Sequence, residues 1–414
     1  MQNQNAETKL TGQSVIATNE SLRPSKIRIQ SIDILRGTVM LIMALDHIRD
    51  FFHIHGADQN PVDMATTTPA LFFTRWITHF CAPVFVFLSG TSAFIAGQKK
   101  TKKELSLFLI KRGLWLVFVE MAIITFGITF NPLYNLIVWQ VIWAIGWSMI
   151  ILGLLVRTSM TVILVTGCII FFGHNILDYI HLPQQGAANV LWKIFLTTSQ
   201  TLFPIGEKRF IFDIYAILPW TGAMLLGYGF GKLYRSSVDT AKRKRTILSA
   251  GIFLTALFIV LRLINKYGDP APWSQQKDGV YTFLSFLNTT KYPCSLQYLS
   301  MTIGPALILL AFIEQAKNRL SKILVVYGRV PFFYYVIHFY LVHIICVILF
   351  FASGYSTKDI VDANSPFLFR PFHFGFDLWV VYLIWLFVIT VLYWPCKWFQ
   401  NYKRTHHQWW LSYV

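Results

Sequence analysis

Charge is scarce in this chain. Asp, Glu, Lys and Arg together make up 13% of 414 residues, about half the share in a soluble globular domain. With 55% hydrophobic residues and apolar runs along nearly the whole length, that deficit excludes a water-soluble domain. It points to an all-α, polytopic integral membrane protein whose first partner is the lipid bilayer. Cysteine is scarce too. Cys81, Cys168, Cys346 and Cys396 lie in or beside apolar runs, Cys294 sits in a long loop, and no C-x-x-C pair occurs. Neither a disulfide framework nor a zinc or redox motif is supported, and no metal is expected. There is no G-x-G-x-x-G, Walker-type loop or G-x-S-x-G, which leaves cytosolic ATP hydrolysis unsupported. The first thirty residues contain no apolar signal-peptide core, so the first span is expected to insert uncleaved.

The net charge of +17 could suggest nucleic acid, but the charges sit in short blocks between apolar runs. That pattern is topology, and no nucleic-acid partner is expected. The runs predict about ten spans, near 32–54, 76–97, 112–130, 136–156, 159–180, 211–233, 246–264, 297–316, 323–352 and 375–396. The ninth is long enough to be tilted, kinked or split, and Pro331 offers a cause. With the N-terminus inside, inner segments hold about 24 of the 36 Lys and Arg residues and outer ones about 11, which places both termini in the cytoplasm. The expected organisation is a polar, disordered tail at 1–25, one membrane domain at 26–400 and a cytoplasmic tail at 401–414. Oligomeric state stays open.

What is present is concentrated in the first span. Asp46, Arg49, Asp50 and His53 fall at i, i+3, i+4 and i+7, on one helical face, with His47 about 100° around. Ionisable groups at membrane depth face a protein interior or a wet cavity and are functional candidates by default. Counting ~1.5 Å per residue places His47 and His338 each ~22 Å across a ~30 Å core. His79 lies ~5 Å below the outer surface, with His343 further out than His338. Arg75 and His79 share a face. Each histidine has a plainer reading as a core residue bonded to a backbone carbonyl, and the Asp–Arg set could be a neutralised network holding helices together. On the inner side, Arg36 and Arg329 could hold a phosphorylated cytosolic donor.

Some of these segments also look familiar. Ser31-Ile-Asp-Ile-Leu-Arg-Gly37 resembles the S-x-D-x-L-R-G head of a large group of transmembrane acyltransferases, in which a polar residue follows the Arg by eleven positions. Here that residue is His47. The matching position is a histidine, regarded as catalytic, in bacterial cell-surface polysaccharide O-acyltransferases. It is an asparagine near the donor thioester in the heparan-alpha-glucosaminide N-acetyltransferase family. The stretch Phe72–Ser92 resembles the P-x-F-x-F-x-x-G-x-S second span of the latter family. Gly328–His338 resembles its late G-x-x-x-x-x-x-Y-x-x-H segment. The likeness is greatest to bacterial membrane proteins grouped with that catalytic domain. One departure is clear: the family's outer-loop histidine, eleven residues beyond its asparagine, is matched here by Asp58, with His53 and His55 the nearest histidines.

The resemblance implies an acyltransferase of the bacterial inner membrane. It would move an acetyl group from cytosolic acetyl-CoA, a donor substrate, to a hydroxyl or amine of an extracytoplasmic glycan or other envelope acceptor. His47 would act as general base, oriented by Asp46 or Asp50, with His79 beside it. Arg75 or a histidine would stabilise the oxyanion, and His53, His55, Arg75 and His338 would line the acceptor side. Arg36 and Arg329 would meet the donor phosphates. Direct transfer and an acyl-histidine intermediate both stay open. So do two rivals: a proton-coupled transporter using Asp46, His47 and His79 as a relay, and a non-catalytic subunit of an envelope-polysaccharide system.

Overall fold

The computed structural model describes residues 29–56, 59–180, 186–197, 200–362, 365–406 and 408–412. The tail expected at 1–25 and Asp58 lie outside the described residues. The chain is an all-α membrane protein, and a helix occupies each of the ten predicted segments. The first half contains α1 (Gln30–Phe52), α2 (Pro69–Thr78), α3 (Cys81–Gly97), α4 (Lys102–Val119), α5 (Thr125–Thr129), α6 (Val141–Leu155) and α7 (Met160–Gly173). It continues with α8 (Gly186–Trp192), α9 (Ile217–Phe230), α10 (Thr240–Ile264), α11 (Gly279–Leu287) and α12 (Leu296–Phe312). The last are α13 (Arg319–Arg329), α14 (Pro331–Ala352) and α15 (Leu378–Thr405). Among the described residues, six helical segments are long and apolar enough to cross a membrane: 69–97, 160–179, 240–264, 296–315, 331–352 and 378–405. Helix α1 is not one of them, because Asp33, Arg36, Asp46, Arg49 and Asp50 all lie on it.

Two spans are broken, and a proline explains each. Pro83 has no N–H to offer the carbonyl of His79 four residues back, so the chain kinks between α2 and α3. The Tyr298 hydroxyl donates to that freed carbonyl instead, at 2.9 Å. Pro331 likewise ends α13 and starts α14, so the predicted ninth span is split. A third irregularity is a π-helical turn at Glu120–Ile124 between α4 and α5. Carbonyls displaced there are met by side chains: Tyr134 donates to Ala122 at 2.8 Å and Tyr340 to Ile123 at 2.9 Å.

The predicted starts at 136 and 211 need correction. Leu136–Trp139 (β1) and Arg209–Asp213 (β3) are strands, joined by Thr201–Gly206 (β2) into a sheet of order β1-β3-β2, with β1 parallel and β2 antiparallel to β3. Short β-branched and aromatic runs cannot be told from helix by periodicity. The third span also begins earlier than predicted, at Lys102. Thr101 and Glu104 form a reciprocal capping box there, which satisfies two of the amides a helix start leaves open.

Helix α1 is the axis of the bundle, most of it buried, with α13, α14, α15, α2, α3 and α12 around it. Its N-terminal half meets α13 backbone to backbone. A Cβ on Gly328 would fall on the Asp33 carbonyl, and one on Gly37 on the Leu324 carbonyl. Close approach of this kind is what small residues permit between membrane helices. At its C-terminal end, the buried Arg370 donates to the carbonyls of Asp50 (3.1 Å), Phe51 (3.2 Å) and His53 (3.3 Å). A cation there satisfies the open carbonyls and complements the helix dipole.

Candidate active site

The predicted stripe divides into two groups on α1. Asp46 faces a cluster of cations: Arg75 from α2 pairs with one carboxylate oxygen, and Arg49 lies 3.1 Å from the other. Arg49 also pairs with Asp50, which is the more exposed of the two acids. His47 points elsewhere. Its Nδ1 is 2.7 Å from Nε2 of His338 on α14, and its ring stacks on Phe339 with centroids 4.4 Å apart.

The backbone fixes the tautomers of this pair. His338 Nδ1 lies 2.6 Å from the Tyr335 carbonyl, which can only accept, so Nδ1 carries the proton and a neutral His338 offers a lone pair at Nε2. His47 must then donate from Nδ1, and its own Nε2 keeps a lone pair. That nitrogen makes no hydrogen bond among the described residues. An imidazole held in this way is arranged to take a proton at Nε2.

The carboxylate expected to orient His47 is therefore replaced by an imidazole. Asp46 and Asp50 are engaged with arginines, and neither is bonded to His47. Of the histidines expected at one depth, only His338 meets it. His343 lies parallel to the Phe130 ring, centroids 3.8 Å apart, and its Nε2 bonds to the Leu368 carbonyl at 2.9 Å. His79 is buried at the α2–α3 kink, edge-on to Tyr298. His53 ends α1, with its Nδ1 accepting from the His55 amide at 3.3 Å, and His55 is exposed.

His47 and Asp46 line a small cavity of about 30 Å³ whose walls include Thr78, Gln140, Tyr215 and Lys291. A larger crevice, about 510 Å³ and bordered by Lys100, Lys102 and Arg235, lies at the other end of α3. It holds no His, Asp or Glu and gathers none of the predicted site residues. Among the described residues, no group of three His, Cys, Asp or Glu side chains could hold a metal ion.

Near the N-terminus of α1, Arg36 lies 3.1 Å from Asp33 and donates to the Gly328 carbonyl (3.0 Å) and the Ser92 hydroxyl (2.9 Å). Arg329 approaches the second oxygen of Asp33 at 3.6 Å and keeps a third of its side chain exposed. The two arginines predicted to act together do meet, around Asp33.

Three contributors were not anticipated. Lys291, from the loop between α11 and α12, reaches within 4.0 Å of Asp46. Gln140 enters the cavity wall from the start of α6. Glu120, fully buried on the π turn, accepts from the Gln140 amide at 3.2 Å and faces the amides of Ile142 and Trp143. Its carboxyl oxygen thus caps a helix whose own N-cap residue supplies no side-chain bond, satisfying an amide that the helix start leaves open. A lone acid inside an apolar run was the available signal for Glu120; Lys291 left none beyond being a single cation beside a span.

Comparison with known proteins bears on this arrangement directly. A family model described as heparan-alpha-glucosaminide N-acetyltransferase, catalytic, matches residues 28–262, more than half of the chain. The chain belongs to that family. It is a membrane-embedded member of an acyltransferase family, and the match takes in α1, the α2–α3 pair, the π turn and Gln140. It extends well beyond the predicted resemblance at 31–98, while Lys291 and His338 fall outside the matched residues. No curated protein matches the chain.

Proposed function

We propose that this protein transfers an acetyl group from cytosolic acetyl-CoA to a hydroxyl or amine on the opposite side of a bacterial inner membrane, with an envelope glycan as the acceptor class. The observation that carries the reading is the chain His47–His338–Tyr335 carbonyl beside a cavity in the outer half of α1. In this scheme His47 Nε2 takes the acceptor's proton as its oxygen or nitrogen attacks the thioester carbon. The same imidazolium returns a proton to the leaving sulfur of CoA. Asp46, Arg49 and Arg75 form a neutralising wall that excludes water, with Asp50, His53 and His55 nearer the outer mouth and His79 behind the kink. Arg329, with Arg36 behind it, meets the phosphates of the donor at the inner end.

The test is purified protein given radiolabelled acetyl-CoA and glucosamine. Label transfer that His47→Ala lowers by about 10²–10⁴-fold, without loss of the folded particle, is the expected result. No donor binding, together with no effect of the substitution, would sink the reading. One observation favours a transporter as the second reading: the spans broken at Pro83 and Pro331, since discontinuous helices commonly line transport sites. Solute flux in proteoliposomes lacking acetyl-CoA would establish it over the enzyme.

A further inference from the structure

Three cations converge on Asp46, and they are not equivalent. Arg49 and Arg75 are within ion-pairing distance of its two oxygens. The Lys291 ammonium is 4.0 Å from the nearer oxygen, too far for a hydrogen bond. Its other neighbour is the face of the Tyr292 ring, 5.1 Å to the centroid. Lys291 has no hydrogen-bond acceptor among the described residues, although its side chain is only 9% exposed. An ammonium carries three donors and no acceptor, and burying one without acceptors is costly. This one is kept beside the cavity that His47 also lines.

The loop that delivers Lys291 is built to hold it still. Asp269 accepts from the Thr290 amide (2.8 Å), the Thr290 hydroxyl (2.7 Å) and the Ser295 hydroxyl (2.7 Å), bracketing Lys291 on both sides. The Cys294 carbonyl is held by His174 Nε2 at 2.9 Å. Behind them the buried Arg262 donates to the carbonyls of Ala271, Ser285, Phe286 and Asn288. A donor fixed in advance, in a site with little water, is the arrangement that stabilises a charge developing during reaction.

We infer that Lys291 is a further catalytic residue of this site, donating a hydrogen bond to the thioester carbonyl oxygen of the donor as it becomes an oxyanion. The inference rests on the acyl-transfer reading. The acceptor heteroatom bonds to the carbonyl carbon while His47 removes its proton, and the carbonyl π pair moves onto the oxygen facing Lys291. When that pair re-forms the double bond, the carbon–sulfur bond breaks. The thiolate then takes the proton from His47. The oxyanion role expected of Arg75 thus passes to Lys291, because Arg75 is already engaged by Asp46.

The experiment compares wild type, Lys291→Met and Lys291→Arg as purified full chains, with acetyl-CoA as donor and glucosamine as acceptor. Lys291→Met should lower kcat about 10²–10³-fold with donor KM within about twofold, and Lys291→Arg, which keeps a donor, should recover part of the loss. Infrared difference spectra with carbonyl-¹³C acetyl-CoA supply a readout that a structural role would not move. The bound carbonyl band should lie below its aqueous position in wild type and Lys291→Arg, and return towards it in Lys291→Met. An unchanged kcat in Lys291→Met, or a band at the same frequency in all three, overturns the inference and leaves acyl transfer standing. Absence of turnover in wild type overturns the acyl-transfer reading beneath it. If Lys291→Met does not fold, Lys291→Gln takes its place, with the band expected between its wild-type and aqueous positions and a wild-type kcat overturning the role.

Discussion

Helix α1 carries two charged knots made of the same parts. In the one called inner, after the expected orientation, Asp33 sits between Arg36 and Arg329 near the N-terminus of α1; in the one called outer, Asp46 sits between Arg49 and Arg75 near its C-terminus. The inner knot is shut by backbone, since α1 and α13 touch at Gly37 and Gly328 and Arg36 also donates to Gly328 and Ser92. The outer knot gains a third cation and a cavity. Composition alone does not separate a helix clamp from a reactive site. The difference lies in whether neighbouring backbone closes over the charges or leaves a cavity beside them.

The comparison breaks most sharply at Gly328. A Gly328→Val chain should lose about 3 kcal/mol or more, read as collapse of the monodisperse peak in detergent size-exclusion and a large fall in thermal midpoint. A wild-type midpoint would mean the inner knot is not a clamp. Next is His338. Replacing it with Leu removes the acceptor that orients His47 and should reduce turnover about 10- to 100-fold, a fraction of the full general-base contribution. His338→Gln retains an acceptor oxygen and should keep more of the rate, with both measured beside the thermal midpoint. The smallest effect is expected at Arg329. Its partly exposed ion pair contributes at most about 1 kcal/mol, so Arg329→Gln should leave the midpoint nearly unchanged while raising donor KM up to about tenfold. An unchanged KM would leave Arg329 to the clamp alone.

Much of this was legible in the chain itself. Apolar runs located the helices, Pro331 marked the split, charge inside the first span drew attention to it, and the eleven-residue spacing from Arg36 in the family resemblance pointed to His47. The sheet was not legible, because strands of four or five residues, each with three β-branched or aromatic side chains, read equally well as the start of a span. Nor were the partners of His47: a helical wheel gives faces but does not orient α1 against α14, so His338 and His343 could not be ranked. Lys291 was hidden for a different reason. Depth can be counted along a helix, but a loop returning into the bundle has no such ruler.

The π turn at Glu120–Ile124 has a further consequence for how this site tolerates length change. A π turn closes its hydrogen bond one residue later than an α turn, so it stores one surplus residue in the helix. Deleting a single residue at 121–124 would let the helix wind evenly and would rotate Glu120 away from the first amides of α6. Gln140 would then lose its anchor, and one wall of the cavity would shift although no residue lining it had been altered.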